Sequence, residues 1–129
     1  MQATLVKGRD AARGITRITR HPFLWGVALW ALAHPIVNGD LASLILFGTL
    51  ALLALAGTAS IDAKLRRRLG EPWRLFAAAT SNIPFAAIVS GRSSLDAALR
   101  EIGFVRPLIA VAVYAVIFWL HGRFIAALT

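Results

Sequence analysis

The sequence predicts an all-α integral membrane protein: a helical bundle with about three transmembrane helices and one re-entrant or interfacial segment. Of its 129 residues, 58% are hydrophobic, whereas soluble domains are about 45–50% apolar. Mean hydropathy is +0.70. Three long stretches carry almost no charge. The length allows one domain with few crossings, since each crossing takes roughly 20 residues.

Residues 1–20 form a basic N-terminal segment. Arg9, Arg13, Arg17 and Arg20 recur at intervals of four, four and three, which would stack them on one face of a helix. An amphipathic helix on the membrane surface is one interpretation, and a frayed basic tail is the other. The segment lacks the apolar core and cleavage site of a signal peptide.

The first two predicted spans are joined by a tight turn. Residues 22–38 form the first span, which Pro22 opens because its missing N–H costs nothing in a first helical turn. The sequence Asn-Gly-Asp that follows is typical of a turn, and Asp40 is a suitable N-cap. The second span covers residues 41–61, which are 21 consecutive uncharged residues.

The rest of the chain contains one ambiguous apolar segment and one further span. Residues 73–91 consist of two apolar halves, each too short to cross a bilayer, divided by the sequence TSNIP. This pattern predicts the interfacial or re-entrant segment. Thr80, Ser81 and Asn82 would need hydrogen-bond partners there, and a ligand or substrate is one candidate partner. Residues 107–128 form the last span.

The distribution of charge predicts the orientation. Of the 14 Lys and Arg residues, five precede the first span and five lie between Lys64 and Arg74. Three more precede the last span, and Arg123 alone lies near the other side. The positive-inside rule then predicts a multi-pass membrane protein with a cytoplasmic N-terminus. It also explains the net charge of +8 without a nucleic-acid partner.

The three histidines are candidate ligands, because an ionisable group within a span is costly and usually functional. His34 lies 13 residues after His21, roughly 20 Å along a helix, so one planar cofactor cannot bind both. His121 lies 15 residues after Arg106, roughly 22 Å along its helix, which matches the depth of His34. Either this pair binds haem iron axially, or each histidine bonds to water or a carbonyl at the interface.

Arg20 and His21 form a compact basic pair at the start of the first span. The fixed donors of arginine suit a carboxylate or phosphate, and imidazole adds a hydrogen bond or a proton transfer near neutral pH. The alternative is anchoring in lipid headgroups, with Trp25 in the aromatic belt. Trp25 and Asn38 are also candidate substrate contacts, although Asn38 fits a simple turn equally well.

Two further features limit the kinds of site and of ion pair that the chain can form. The chain has no cysteine, which excludes disulfides, thiolate catalysis and Cys-based zinc or iron–sulfur sites. Asp62 follows the second span and lies four residues before Arg66, so we expect an i,i+4 ion pair between them.

Three motifs carry a family resemblance. The sequences TRHPFLWGVALWALAHPIVNGDLASLILFG, SIDAKLRRRLGEPW and TSNIPFAAIVSGR closely resemble the NnrU family of bacterial integral membrane proteins, from about Thr16 to the C-terminus. The resemblance implies a single membrane domain over residues 1–129 and a link to denitrification gene clusters. It also implies a relation to ζ-carotene isomerase, a haem b enzyme with histidine ligation. On that basis His21, His34 and His121 are candidate haem ligands, and Arg20 would pair with a propionate.

A more distant likeness is to isoprenylcysteine carboxyl methyltransferases and phospholipid methyltransferases. Their Arg-His-Pro opens a helix that lines the S-adenosylmethionine site, which implies that Arg20 and His21 hold the carboxylate of that cofactor. Where those enzymes carry a Glu-rich stretch, this chain has only Asp62. NnrU proteins usually carry further N-terminal spans, including a histidine. If a haem ligand normally comes from those helices, a homo-oligomer or a membrane partner would have to supply it, or the activity would be absent.

Three functions follow as hypotheses. The first is a haem-binding membrane protein of the NnrU type, isomerase-like or redox-linked in nitrogen oxide metabolism. The second is a membrane methyltransferase that uses S-adenosylmethionine. The third is a non-enzymatic assembly factor whose Gly- and Ala-rich faces bind another membrane protein.

Overall fold

The computed structural model describes residues 8–128, and this part of the chain contains helices and turns but no strand. Two 3₁₀ turns, Gly8–Ala11 and Gly14–Arg17, come first. Six α-helices follow: α1 (Pro22–Asn38), α2 (Leu41–Leu69), α3 (Glu71–Ala79), α4 (Ala86–Val89), α5 (Leu95–Ile102) and α6 (Val105–Leu128). The predicted all-α class is confirmed.

Helices α1 and α2 form a hairpin, and its turn is built as the sequence predicts. Gly39 takes a left-handed conformation with φ of 69° and donates to the carbonyl of Pro35, an arrangement that ends a helix. The Asp40 carboxylate then accepts a hydrogen bond from the Ser43 amide at 2.8 Å, which caps α2. Small buried side chains line the inner faces of both helices and allow close packing: Ala28, Ala31, Ala51 and Ala54.

Two helices of the described part are long and apolar enough to cross a bilayer. They are α2 with 29 residues and α6 with 24. Every residue of α6 is exposed within the chain, as expected for a helix that lipid surrounds. The third expected span, α1, has its predicted ends but only 17 residues, about 25 Å against a hydrocarbon core of roughly 30 Å.

The N-terminal segment differs from the predicted amphipathic helix. Gly8 and Gly14 have positive φ angles of 62° and 57°, which interrupt any helix across residues 8–20; residues 1–7 lie outside the described range. The segment is folded by contacts with distant parts of the chain. Ala11 and Ala12 pack against Trp73 and Phe76 of α3 in a small buried core.

Helix α5 fixes the other half of this segment. Ser94 caps α5 by accepting from the Ala97 amide, and Glu101 lies in its last turn. The Glu101 carboxylate accepts from the Gly14 amide and forms a two-pronged ion pair with Arg17, both contacts at 2.9 Å. The Glu101 side chain and packing on α3 therefore hold residues 8–17 in short turns, and not in the amphipathic helix or the frayed tail that were the two interpretations of the sequence.

Candidate functional site

Asp62 is the centre of a polar cluster near the basic C-terminal end of α2, where Lys64 and Arg66–Arg68 follow it in the sequence. Its carboxylate receives Arg20 through Nη2 at 2.8 Å and through Nε at 3.4 Å. His21 approaches the same carboxylate through Nε2 at 2.6 Å. The three side chains are 13%, 4% and 19% exposed for Arg20, His21 and Asp62, so the ion pair is largely shielded from water. Arginine and imidazole thus hold one carboxylate from two sides.

The local fold explains why Arg20 and His21 point toward α2. Pro22 starts α1, so the two basic residues lie in the non-helical chain just before the helix. This part of the chain runs beside the TSNIP loop, where the Arg20 amide donates to the Ser81 carbonyl at 2.9 Å. The Thr19 hydroxyl donates to the Asn82 carbonyl at 2.6 Å. These contacts fix the direction of both side chains.

The expected pair between Asp62 and Arg66 is wrong. Asp62 binds residues 41 and 42 positions earlier in the chain, while Arg66 is exposed. An exposed i,i+4 pair stabilises a helix by only about 0.3–0.5 kcal/mol, whereas two shielded donors on one carboxylate form stronger charge-assisted bonds. Asp62 therefore pairs with Arg20 and His21 and not with Arg66.

Arg20 has two further contacts that hold its guanidinium in place. Its Nη1 donates to the Thr80 hydroxyl at 3.3 Å, and its guanidinium carbon lies 5.5 Å from the ring centroid of Trp73, a cation–π arrangement. Thr80 is fully buried and donates its own proton to the Phe76 carbonyl at 2.8 Å. Its oxygen is consequently free to accept from Arg20.

Asn82 joins the loop to both helices of the α1–α2 hairpin. Its side-chain carbonyl accepts from the Trp25 indole of α1 at 3.1 Å, and its amide donates to the Thr58 hydroxyl of α2 at 2.9 Å. Ser81 donates to the Ile83 carbonyl and accepts from the Ala87 amide. Thr80, Ser81, Asn82 and Trp25, predicted to contact a ligand or substrate, all find partners within the chain.

Phe85 shows how firmly the TSNIP loop is held. It is the one non-glycine residue with positive φ, 66°, among residues 8–128, a conformation that costs about 1–3 kcal/mol. Its amide donates to the Ile18 carbonyl at 2.8 Å, and Arg92 donates to the Thr80 carbonyl at 2.8 Å. The predicted break between two apolar halves is present, since α3 ends at Ala79 and α4 begins at Ala86.

The structure brings His34 and His121 together and leaves His21 with Asp62. The two ring centroids lie 6.2 Å apart with the ring planes at 86°. His34 Nδ1 lies 2.8 Å from the Trp30 carbonyl, which can only accept, so Nδ1 is the donor of this hydrogen bond and Nε2 is left available in the neutral ring. Phe47 stacks on the His34 ring at 4.5 Å.

His121 lies in a shallow surface groove whose wall is formed by the C-terminal part of α6 alone. The groove is lined by Ile117, Leu120, His121, Arg123 and Phe124. The guanidinium carbon of Arg123 lies 3.9 Å from the centroid of the Trp119 ring. His121 therefore offers an accessible imidazole on an apolar surface.

The structure gives two residues, Asn38 and Asp62, surroundings that differ from those the sequence predicted. Asn38 ends α1 and is exposed, 13 residues along α1 from Trp25, so the two do not share one substrate site. Asp62 is the partner of Arg20 that the sequence motifs did not predict. It is the first charged residue after the 21 uncharged residues of α2, and that position was the available signal.

Comparisons with known proteins agree with the motifs. The family profile described as "NnrU protein" matches residues 1–128, further toward the N-terminus than the resemblance from Thr16. The chloroplastic 15-cis-zeta-carotene isomerase of Zea mays is 36% identical over 100 residues, covering 76% of this chain and 27% of that protein. The Arabidopsis thaliana protein of the same name is 42% identical over 84 residues, covering 64% and 22%.

This chain therefore spans about a quarter of the length of the curated relatives it matches. No solved structure matches it. With a family match across nearly all of its residues, the chain belongs to the NnrU family.

Proposed function

We propose that this protein is a membrane-embedded isomerase that changes double-bond geometry in an apolar polyene, with haem b held between His34 and His121. The proximity of the two imidazoles, whose ring centroids lie 6.2 Å apart, is the observation that carries this proposal. Family membership and two relatives whose names state 15-cis-zeta-carotene isomerase support it. The bilayer in which α2 and α6 would lie is also where such a substrate dissolves.

The donor chemistry of the pair fits haem. A metal-binding histidine usually donates its other N–H to a carbonyl or carboxylate, and His34 Nδ1 contacts the Trp30 carbonyl in this way. The ring centroids of His34 and His121 lie 6.2 Å apart, so the two side chains would be close enough to hold one haem iron together. Haem b would supply an iron centre able to change oxidation state within an apolar surface.

The chain's own side chains would orient the ligand and exclude water. The Trp30 carbonyl fixes the tautomer of His34, and the stacked Phe47 fixes its ring plane. The apolar side chains around His121 would cover the macrocycle and the substrate. Arg123 lines the same groove, so we propose it as the propionate partner. Arg20 is committed to Asp62 near the opposite end of α1.

Absorption spectroscopy of the protein purified in detergent tests the cofactor. We expect a Soret band that His34→Ala and His121→Ala abolish or shift. His21→Gln is the control, because it changes a buried histidine that does not face the pair, and it should retain the band. Loss of the band in His21→Gln with retention in both other variants would contradict the assignment.

Conversion of 15-cis-zeta-carotene in liposomes, followed by chromatography of its isomers, tests the reaction. We expect the wild-type protein to convert the substrate and His34→Ala to be inactive. A protein that binds haem but leaves the carotene unchanged would remove the isomerase proposal and retain the cofactor. The relatives are much longer than this chain, so further helices could come from a second copy or from another membrane protein. The assay therefore uses the protein in its oligomeric form, together with any membrane protein that co-purifies with it.

The link to denitrification in a bacterial inner membrane stays part of this proposal through the family resemblance. If it holds, nitric oxide should shift the Soret band of the purified protein, and His121→Ala should respond differently because it removes one of the two side chains that would hold the iron. A spectrum insensitive to nitric oxide in both proteins would count against a nitrogen oxide role.

The methyltransferase alternative has less support. Binding the carboxylate of S-adenosylmethionine through Arg20 and His21 would require both to release Asp62, which they contact at 2.8 and 2.6 Å. Saturable binding of S-adenosylmethionine by haem-free protein would favour this alternative. The third hypothesis, a non-enzymatic assembly factor, would be favoured if the protein bound neither haem nor S-adenosylmethionine.

A further inference from the structure

A second feature near the basic C-terminal end of α2 is a cleft of about 510 Å³ between α2 and α3. It opens beside Asp62 and is independent of the His34–His121 pair. Three arginines contribute to its wall: Arg20, Arg66 and Arg74. Alanines of α2 and α3 form much of the remaining surface and leave room for a ligand: Ala59, Ala63 and Ala77.

The charges in this cleft do not balance. Arg20 is neutralised by Asp62 at 2.8 Å. Arg74 contacts Glu71 at 2.7 Å, but the two side chains are 79% and 57% exposed, and such surface pairs bind weakly. Arg66 forms no ion pair with any of residues 8–128. The cleft therefore presents two guanidinium groups able to bind an anion.

The position of the cleft along α2 indicates which anion it meets. Asp62 is the first charged residue after the uncharged stretch 41–61, and the cleft extends from Ala59 to Arg66 on the same helix. If α2 crosses the bilayer, this level is where the hydrocarbon ends and the headgroups begin. Arginine matches the oxygens of a phosphate with paired N–H donors.

We propose that this cleft binds the phosphate of an anionic phospholipid, with Arg66 and Arg74 as the contacting cations. Arg20 and Trp73 form the floor, where the cation–π contact keeps the guanidinium in place. Asp62 repels the phosphate little because the Arg20 guanidinium, 2.8 Å away, already neutralises its charge. The acyl chains would lie along the apolar surface of α2.

Titration calorimetry on the protein in a non-ionic detergent tests the site with three probes. The probes are dihexanoyl-phosphatidylglycerol, dihexanoyl-phosphatidylcholine and inorganic phosphate. We expect phosphatidylglycerol to bind most tightly. Binding of inorganic phosphate as tight as phosphatidylglycerol would overturn the assignment to lipid, because the site would then recognise a soluble anion.

Two double variants with the same change in charge separate the cleft from general attraction. Arg66→Gln/Arg74→Gln removes the cleft cations, and Arg67→Gln/Arg68→Gln removes neighbouring cations outside the cleft lining. The first should weaken phosphatidylglycerol binding at least about tenfold, or about 1.4 kcal/mol, and the second less than about twofold. All four arginines are exposed, so folding should survive. Equal weakening in the two variants would overturn the proposal.

Discussion

Asp62 shows how one residue joins three parts of the chain. It lies on α2, and its two partners precede α1. One of them, Arg20, also contacts Thr80 of the TSNIP loop. Removing one member of a shielded ion pair leaves the other charge without a partner, which costs about 3–5 kcal/mol in proteins. The structural role of the Arg-His pair therefore depends on a carboxylate more than forty positions away.

Asp62→Asn should lower the free energy of unfolding by about 2–3 kcal/mol, because it leaves Arg20 without its counter-ion in a partly shielded site. Thermal unfolding in detergent measures the effect. Asp96→Asn is the matched control, since Asp96 pairs with Arg100 on the surface of α5, where both side chains are more than 70% exposed. Equal destabilisation by the two substitutions would contradict a central role for Asp62.

The residue types at this cluster were readable from the sequence, but the pairing was not. Arg20 and His21 were identified as a carboxylate-binding pair, and that chemistry is present. Their carboxylate comes from the same chain. Sequence spacing favours local partners such as Arg66, because helical periodicity relates only residues three or four apart. The pairing of Asp62 depends on how the α1–α2 hairpin aligns its ends.

At the scale of elements, the link between α5 and the N-terminal segment is the clearest example of a contact that replaces local structure. Arg17 donates to Glu101, and the Gly14 amide donates to the same carboxylate. The hydrogen bond from Arg17 is the main reason that the pKa of Glu101 falls to about 2, with the Gly14 amide second. The same contact raises the pKa of Arg17.

This link predicts a pH dependence. Because the pKa of Glu101 is lower in the folded state than the ordinary 4.5, its contribution is fully present above about pH 4.5. It is lost as the pH falls through about 2. Hydrogen exchange at the Gly14 amide should therefore accelerate in acid, relative to an amide within α2. Glu101→Gln should show fast exchange throughout and no change over this range.

A control for this experiment is Glu71→Gln, which breaks the exposed pair with Arg74. Since that pair does not involve the N-terminal segment, the variant should keep the acid transition at Gly14. An acid transition that persisted unchanged in Glu101→Gln would show that another group ties the segment to α5.

At the scale of the whole molecule, residues that act on the neighbouring backbone made the helix ends predictable. The conformation of the N-terminal segment depends instead on contacts between residues far apart in the sequence. The bounds of α1 and the start of α2 were predictable because Pro22, Gly39 and Asp40 act on the backbone next to them. The equal depth of His34 and His121 followed from helical rise alone, and the structure brings them together. The N-terminal segment was not predictable, since its conformation depends on α3 and α5.

The unequal distribution of Lys and Arg between the two ends of the helices predicts the orientation of the hairpin in the membrane. The basic end of α2, near Arg68, should face the cytoplasm, and the turn at Asn38 should face the opposite side. Single-cysteine variants test this directly, because the natural chain has no cysteine and gives no background. In intact cells, a membrane-impermeant maleimide should label Asn38→Cys but reach Arg68→Cys only after lysis. Labelling of both in intact cells would mean that α2 does not cross the bilayer, and the cleft beside Asp62 would then lose its position at the headgroup level.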